Sequence, residues 1–437
     1  MADAPPKDKA AARDKKAAKE AKRERRAAAA ASRPRQETPA AAPAPQAAAP
    51  PTQPRRRPQD SQPGAASLDD DLSNVGVLGD ASLFGNVALP RQLHANTQAW
   101  CSAVHRGTIH PSVLSLCLRL STMSVRGANS RAIAVLSALA DVIRDYRTPP
   151  GAVLSRDLLT RVSQQVGHIV EARSMNTSTG HAVRFLKYEI SVVDAALSED
   201  EGKEYLLERI DHFIRDRIVY AARVIQTHAA HKIHDGDVVM TFAHSSIVEG
   251  TLLAARAQGR RFEAVVIDSR PLYEGRALAE RLLAAGIPTT YALLSALSTV
   301  IPHVSLTLLG ASSLFSNGAT YARSGTATCA MMAHKFHVPV IVCCETYKFS
   351  DRIQLDSFVV NEAGNPADLL AKDPAADAGG LVTRDETSAQ SRLKVVQLLF
   401  DVTPPRYISA IASEVGLSAT ESVGVILRDY KSVLFGI

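Results

Sequence analysis

The 437 residues contain only five cysteines, and Cys101, Cys117, Cys329, Cys343 and Cys344 make no CxxC pair. An odd count with two neighbours adjacent provides neither a disulfide framework nor a zinc site, and it fits a reducing compartment. No apolar run approaches the roughly 18 residues that cross a bilayer, so no membrane partner is expected. The charged, Ala-rich first residues hold no apolar h-region, and no secretory signal is read there. No GxGxxG follows a strand candidate and GxxxxGK[ST] occurs nowhere, which removes the usual phosphate cradles of nucleotide sites. HExxH is missing, and no internal repeat is visible. These absences point to a soluble cytosolic chain with no metal and no cofactor.

The net charge of +6 is unevenly held. Residues 1–60 carry 15 Lys/Arg against 7 Asp/Glu, leaving 35 against 37 for the rest. A near-neutral remainder argues against a nucleic-acid footprint spread over a whole domain. Ala and long charged side chains in residues 1–30 favour helix intrinsically, but they supply no apolar face. Residues 33–66 are rich in Pro, Ala and Gln and read as disordered. Residues 1–82 are therefore expected to form a disordered basic tail. Arg55–Arg57 could touch RNA or an acidic partner; a solvated tail that aids solubility is the simpler reading.

From Leu83 the composition is that of a folded protein, and residues 83–235 read as a helical domain. Pro111–Met123 opens with proline in its first turn. Ser130–Tyr146 sets Ile133, Leu136, Leu139, Val142, Ile143 and Tyr146 on one face and ends before Thr148-Pro149-Pro150. Ser155 reads as the N-cap of a helix carrying Leu158, Val162, Val166 and Ile169. His181–Ala196 follows, then a long helix over Glu204–His234 that leads into the first strand.

Residues 236–437 alternate short apolar strands with helix-length segments. The strands are Val238–Ala243, Ala264–Asp268, Thr289–Leu294, Leu306–Ala311 and Val340–Cys344. Between them lie Ile247–Gln258, Glu274–Ala285, a short piece near Ser295–Ile301, and Tyr321–Phe336. Such βαβ units build a mostly parallel, Rossmann-like sheet. The fold class is thus α/β: a helical domain followed by a Rossmann-like domain. Phe358–Asn361 and Val395–Val402 are further strand candidates, and residues 363–392 read as a polar surface insertion. Pro404-Pro405 should open a helix through Glu414 that Gly416 stops.

Ligand chemistry in such a sheet gathers at the carboxyl ends of the strands. Asp268, Ser269 and Arg270 end the second strand, where Arg270 could hold a phosphate or the pair could simply tie the loop down. Asn317-Gly318 fits a tight turn with positive φ, and Gly325-Thr326 lies where a helix approaches the sheet. Asp268, Arg270, Asn317, Gly318, Gly325 and Thr326 are the candidate pocket; a loop-tying ion pair is the simpler explanation for the first two, and packing explains the other four equally well. His228, His231 and His234 share a stripe, but without an acidic partner they read as unliganded. Cys343 and Cys344 should point to opposite faces of a buried strand.

The runs VVIDSRPLYEGR, LLGASSLFSNGATYARSGTA, VPVIVCCETYKFSDRIQ and FDVTPP together resemble the regulatory subunits of eukaryotic translation initiation factor 2B. CCETYKF, with NSRAIAVLSAL and RDYRTPP, resembles the delta type in particular. The resemblance runs from about Leu83 to the end of the chain, with its motifs in order. It implies a non-catalytic subunit of the guanine-nucleotide exchange factor for initiation factor two. The implied partners are alpha, beta, gamma and epsilon subunits in a hetero-decamer with two copies of each, and initiation factor two itself. The helical domain would sense phosphorylation of that factor's alpha chain. Arginines expected to be exposed there, Arg131, Arg156 and Arg161, are candidates for meeting a phosphoserine.

The same resemblance extends to sugar-phosphate isomerases of methylthioribose phosphate and ribose bisphosphate. It implies a catalytic cysteine after the first strand and an aspartate after the fourth. Here those positions are Ala243 and Ser312, so the groups that would move protons between sugar carbons are missing and no catalytic residue is expected. An isomerase is the rival reading, and an RNA-binding protein acting through residues 1–60 is a third. The latter should show binding that falls steeply with salt.

Overall fold

Pro111, Asn176 and Ser198 start three of the helices that open the described chain. Pro111 begins α1 (Pro111–Ser121), where a missing N–H costs nothing. The Asn176 side chain accepts from Thr179 N at the head of α4 (Thr177–Val192). Ser198 and Glu201 form a reciprocal capping box for α5 (Glu199–His212). The computed structural model describes residues 86–88, 100, 102–103, 107–194, 196–364, 368–369 and 396–435. The tail expected over 1–82 and most of the insertion expected over 363–392 lie outside the described residues.

Between α1 and α4 lie α2 (Ala128–Asp145) and α3 (Leu154–Ala172). Leu136, Leu139, Ile143, Leu158, Leu186, Ile190 and Leu206 are buried together in the helical core. Ser155 is not the N-cap of α3: Val153 occupies that position without a side-chain bond, and the helix starts one residue later. The long helix also differs from its sequence reading. It begins at Glu199, because the capping box precedes the apolar stripe, and passes through a π-helical stretch, Phe213–Tyr220, into α6 (Ala221–Ala230). Phe213 and Ile218 are buried five residues apart, a spacing that suits i→i+5 winding.

After α6 the chain alternates β2 (Val238–Phe242), α7 (Ser246–Ala257), β3 (Glu263–Asp268), α8 (Glu274–Ala284) and β4 (Thr289–Leu293). Then come α9 (Leu297–Val300), β5 (Leu306–Gly310), β6 (Ser313–Phe315), β7 (Thr320–Arg323), α10 (Thr326–Lys335) and β8 (Val340–Cys343). The remaining elements are β9 (Phe349–Ser350), β10 (Val360–Glu362), β11 (Phe400–Thr403), β12 (Ala410–Ser413), β13 (Gly416–Ser418) and α11 (Val423–Phe435). Strand β10 pairs in parallel with β1 (Asn86–Ala88).

The main sheet has seven strands in the order β13-β12-β8-β5-β2-β3-β4, all parallel except the β12–β13 hairpin. Its order reverses between β2 and β5, the switch point at which a crevice opens. Each face is covered. Val239, Val266, Leu308 and Cys343 pack under α6, α7 and α8, and Met240, Ile267, Val342 and Cys344 pack under α9, α10 and α11. Cys343 and Cys344 therefore divide between the two faces.

Two segments read as helical are strands. Residues 320–323 form β7, which pairs antiparallel with β11 and β6 in a four-stranded sheet. The helix starts only after Gly325. Pro404-Pro405 opens a single 3-10 turn, Pro405–Tyr407, and β12 follows. Gly416, with φ +127°, belongs to the hairpin turn instead of stopping a helix. In β7 buried and half-buried residues alternate, and in β12 three buried residues run in succession; an apolar count over a longer window averages out both patterns.

Candidate functional site

At the switch point, Ala243 follows β2 in a left-handed conformation, φ +52°, and Ser312 lies two residues past β5. Both line a cavity of about 370 Å³ whose far wall is the start of α2, residues Arg126 to Arg131. Its cations are Arg119, Arg126, Arg131, Arg173, Arg323 and Lys348, against the single carboxylate of Glu274. This lining favours an anion.

Three of these cations, Arg131, Arg173 and Lys348, are held in place by buried acids. Glu362 on β10 accepts from Arg131 Nη1 at 3.3 Å and from Arg173 Nε and Nη2, each at 2.9 Å. Burial pushes the Glu362 carboxyl up, but the guanidinia of Arg173 and Arg131 outweigh it and hold the group below the usual range. Burial and the neighbouring Arg173 draw Arg131 down to about 10. Lys348 pairs with the fully buried Glu345 at 2.6 Å, and Asn129 Nδ2 donates to the same carboxylate at 2.6 Å. The CCETYKF run thereby ties the end of β8 to α2.

A second cavity, of about 490 Å³, lies on the other side of Glu274 and Arg323. Those two side chains line both cavities and form a bidentate pair at 2.7 and 2.8 Å. Asp401 Oδ2 accepts from Gly325 N at 2.7 Å and from Ala327 N at 2.9 Å, capping α10. Burial nevertheless pushes the Asp401 carboxyl up to about 7.

The six candidate pocket residues do not form one site. Asp268, Arg270 and Gly325 line the second cavity, and Thr326 lines the first. Asp268 is buried and bonded to Ser269 N, Arg276 N and Tyr291 OH. Thr326 Oγ1 donates to Arg323 O at 2.6 Å. Asn317 and Gly318 line neither cavity. They turn the chain between β6 and β7, where Asn317 Oδ1 accepts from Ala319 N at 3.2 Å. Gly318 has φ +78°, and a Cβ there would lie 2.8 Å from Thr420.

Of the three arginines expected on the helical surface, Arg131 is a correction: it is 4% exposed and faces the first cavity. Its place on the inner side of α2, beside Ala132 and Val135, sets that burial. Arg156 is exposed, and Arg161 is half-buried with Nη2 donating to Gly107 O at 2.9 Å. His228 Nδ1 lies 3.3 Å from Ser413 O, and His234 lies 3.6 Å from Asp237. Among the described residues no cluster of three metal-ligating side chains occurs, and no helix is long and apolar enough to cross a membrane.

Sequence reasoning missed Glu362, Arg173 and Asp401. Asp401 sits in the FDVTPP run, whose two prolines marked it as a constrained segment without revealing its role.

Residues 124–420 match the model of the initiation factor 2 subunit family. The chain belongs to that family. Within the initiation factor 2 subunit family, translation initiation factor eIF2B subunit delta of Schizosaccharomyces pombe is 44% identical over 74% of this chain and 70% of its own length. The solved eIF2B-beta2-delta2 complex from C. thermophilum superposes with a TM-score of 0.65 at 34% identity, covering 78% of this chain and 99% of the matched one. Ribose 1,5-bisphosphate isomerase of Haloferax volcanii is 27% identical over 75% of this chain and 94% of its own length.

Proposed function

We propose that this chain is a non-catalytic regulatory subunit of the cytosolic guanine-nucleotide exchange factor for initiation factor two. The observation that carries the reading is the 44% identity to an eIF2B subunit delta. The reading gives it alpha, beta, gamma and epsilon subunits as partners, with residues 236–437 as the assembling body. Residues 83–235 sense phosphorylation of the factor's alpha chain. A phosphoserine adds about −1.5 to −2 charges and seeks exposed guanidinium groups. Arg156 and Arg161 on α3 remain the candidates for that contact; Arg131 acts on the cavity instead.

The first cavity supports the non-catalytic half of the proposal. Ala243 has no proton to move, and the Ser312 hydroxyl needs a neighbouring base to act near neutral pH. The basic lining suits an anion that is held and not turned over. The rival, sugar-phosphate isomerisation, draws on the 27% identity to an isomerase over nearly all of that enzyme.

Reconstitution tests the proposal. The chain is co-purified with the four other subunits, and nucleotide release from initiation factor two is timed. Unmodified factor should exchange fast and phosphorylated factor should inhibit, with the inhibition weakened in an Arg156→Ala/Arg161→Ala variant. Equal inhibition with and without this chain in the assembly would count against the sensing role.

A further inference from the structure

We infer that, with the first cavity holding an anion as proposed above, His244 makes that hold tighter as pH falls. His244 follows Ala243 in the loop between β2 and α7, and its exposed side chain lines the cavity. Its Nε2 lies 2.8 Å from Glu249 Oε2 on α7. Glu249 is gripped in turn by Arg281 of α8, with Nε 2.6 Å from Oε1 and Nη2 3.0 Å from Oε2. Burial pushes the Glu249 carboxyl up, but the bonds from Arg281 and His244 outweigh it and hold the group below its usual range.

That carboxylate sets the tautomer. An ionised carboxylate only accepts, so Nε2 carries the proton and neutral His244 is left with a lone pair at Nδ1. Nδ1 has no hydrogen-bond partner among the described residues. Protonation turns it from an acceptor into a donor and adds one positive charge to the wall. Imidazole changes charge between about pH 5 and 8. The neighbours do not follow it. The α1–α2 segment brings Arg119, Arg126 and Arg131 to this wall, the turn after α3 brings Arg173, and β7 brings Arg323. Guanidinium groups stay charged over that range, Arg131 at about 10 included. Lys348 is tied to Glu345, and the acid of the wall, Glu274, already takes both nitrogens of the Arg323 fork. A cation gained beside this set strengthens the attraction for a doubly charged oxyanion.

The probe is sulfate, which stays a dianion throughout, titrated against the full chain by calorimetry at about pH 8 and about pH 5.5, on either side of the imidazole transition. Parent chain should bind it at least fivefold more tightly at the lower pH. His244→Asn removes the titrating ring from an exposed position, so its affinity should match the parent's at the higher pH and stay there on acidification. His244→Lys, charged throughout, should bind tightly at both; if either variant fails to fold, the other decides. No saturable sulfate binding at either pH would overturn the anion reading of the cavity and this inference together. Parent binding equally tight at both pH values, or tightening on acidification in His244→Asn as much as in the parent, would overturn the role of His244 and leave the anion reading standing.

Discussion

Glu362→Ala should lower the unfolding free energy by about 3–5 kcal/mol, the usual cost of removing one partner from a buried ion cluster. The carboxylate is 9% exposed and sits between Arg131 at 4% and Arg173 at 9%. Once it is gone, two desolvated guanidinia face each other across the space it filled. Chemical denaturation at neutral pH measures the loss, and the thermal midpoint should fall by on the order of 10 °C. Replacing the whole cluster by apolar residues of similar volume should cost less than the single substitution, because nothing charged then stays buried.

The pH dependence follows from the same group. The folded Glu362 carboxyl titrates below its ordinary value. Its contribution is therefore complete above the unfolded pKa of about 4.3 and disappears as pH falls through the lower folded value. The stability gap between parent and Glu362→Ala should be widest at neutral pH and close in strong acid. A gap that grows on acidification would remove the ion cluster from the account.

Gly325→Ala should destabilise by about 2–6 kcal/mol, the sum of a strained backbone and an overpacked contact. Gly325 has φ +111°, and a Cβ built there would lie 2.4 Å from Phe242 Cζ, on the last residue of β2. The substitution therefore presses the start of α10 against the sheet at the switch point. Adding Phe242→Leu should restore only the steric part, leaving the backbone cost. Full recovery in the double variant would show that the backbone conformation costs nothing, and no recovery would show that the ring is not the obstacle.

The parallel sheet was legible because its strands are buried on both faces and read as short apolar runs bounded by polar loops. Val238–Phe242 and Glu263–Asp268 fall within a residue or so of where those runs begin and end. The small antiparallel sheet was not legible. Strand β7 leaves every second residue half-buried and adjoins a true helix, so Tyr321–Phe336 reads as one element in sequence. The segment before β13 misled through its prolines, which suit a 3-10 turn as well as a helix.

The site divides along the same line. Ala243 and Ser312, placed by motif order, do share a cavity. Glu362 escaped notice because its partners are 231 and 189 residues away, and nothing in its own neighbourhood marks it as a charge to be buried. Arg131 reads as a surface residue in sequence because its helix is amphipathic and arginine is seldom buried. The acid that holds it comes from a strand beyond β9.

The measurement closest to the central claim, that this scaffold binds and assembles without catalysing, is turnover of ribose 1,5-bisphosphate by the purified full chain, followed as ketose product. The account expects a rate equal to the protein-free blank, whatever the concentration of chain. A rate that scales with chain concentration and is abolished in Ser312→Ala would contradict it.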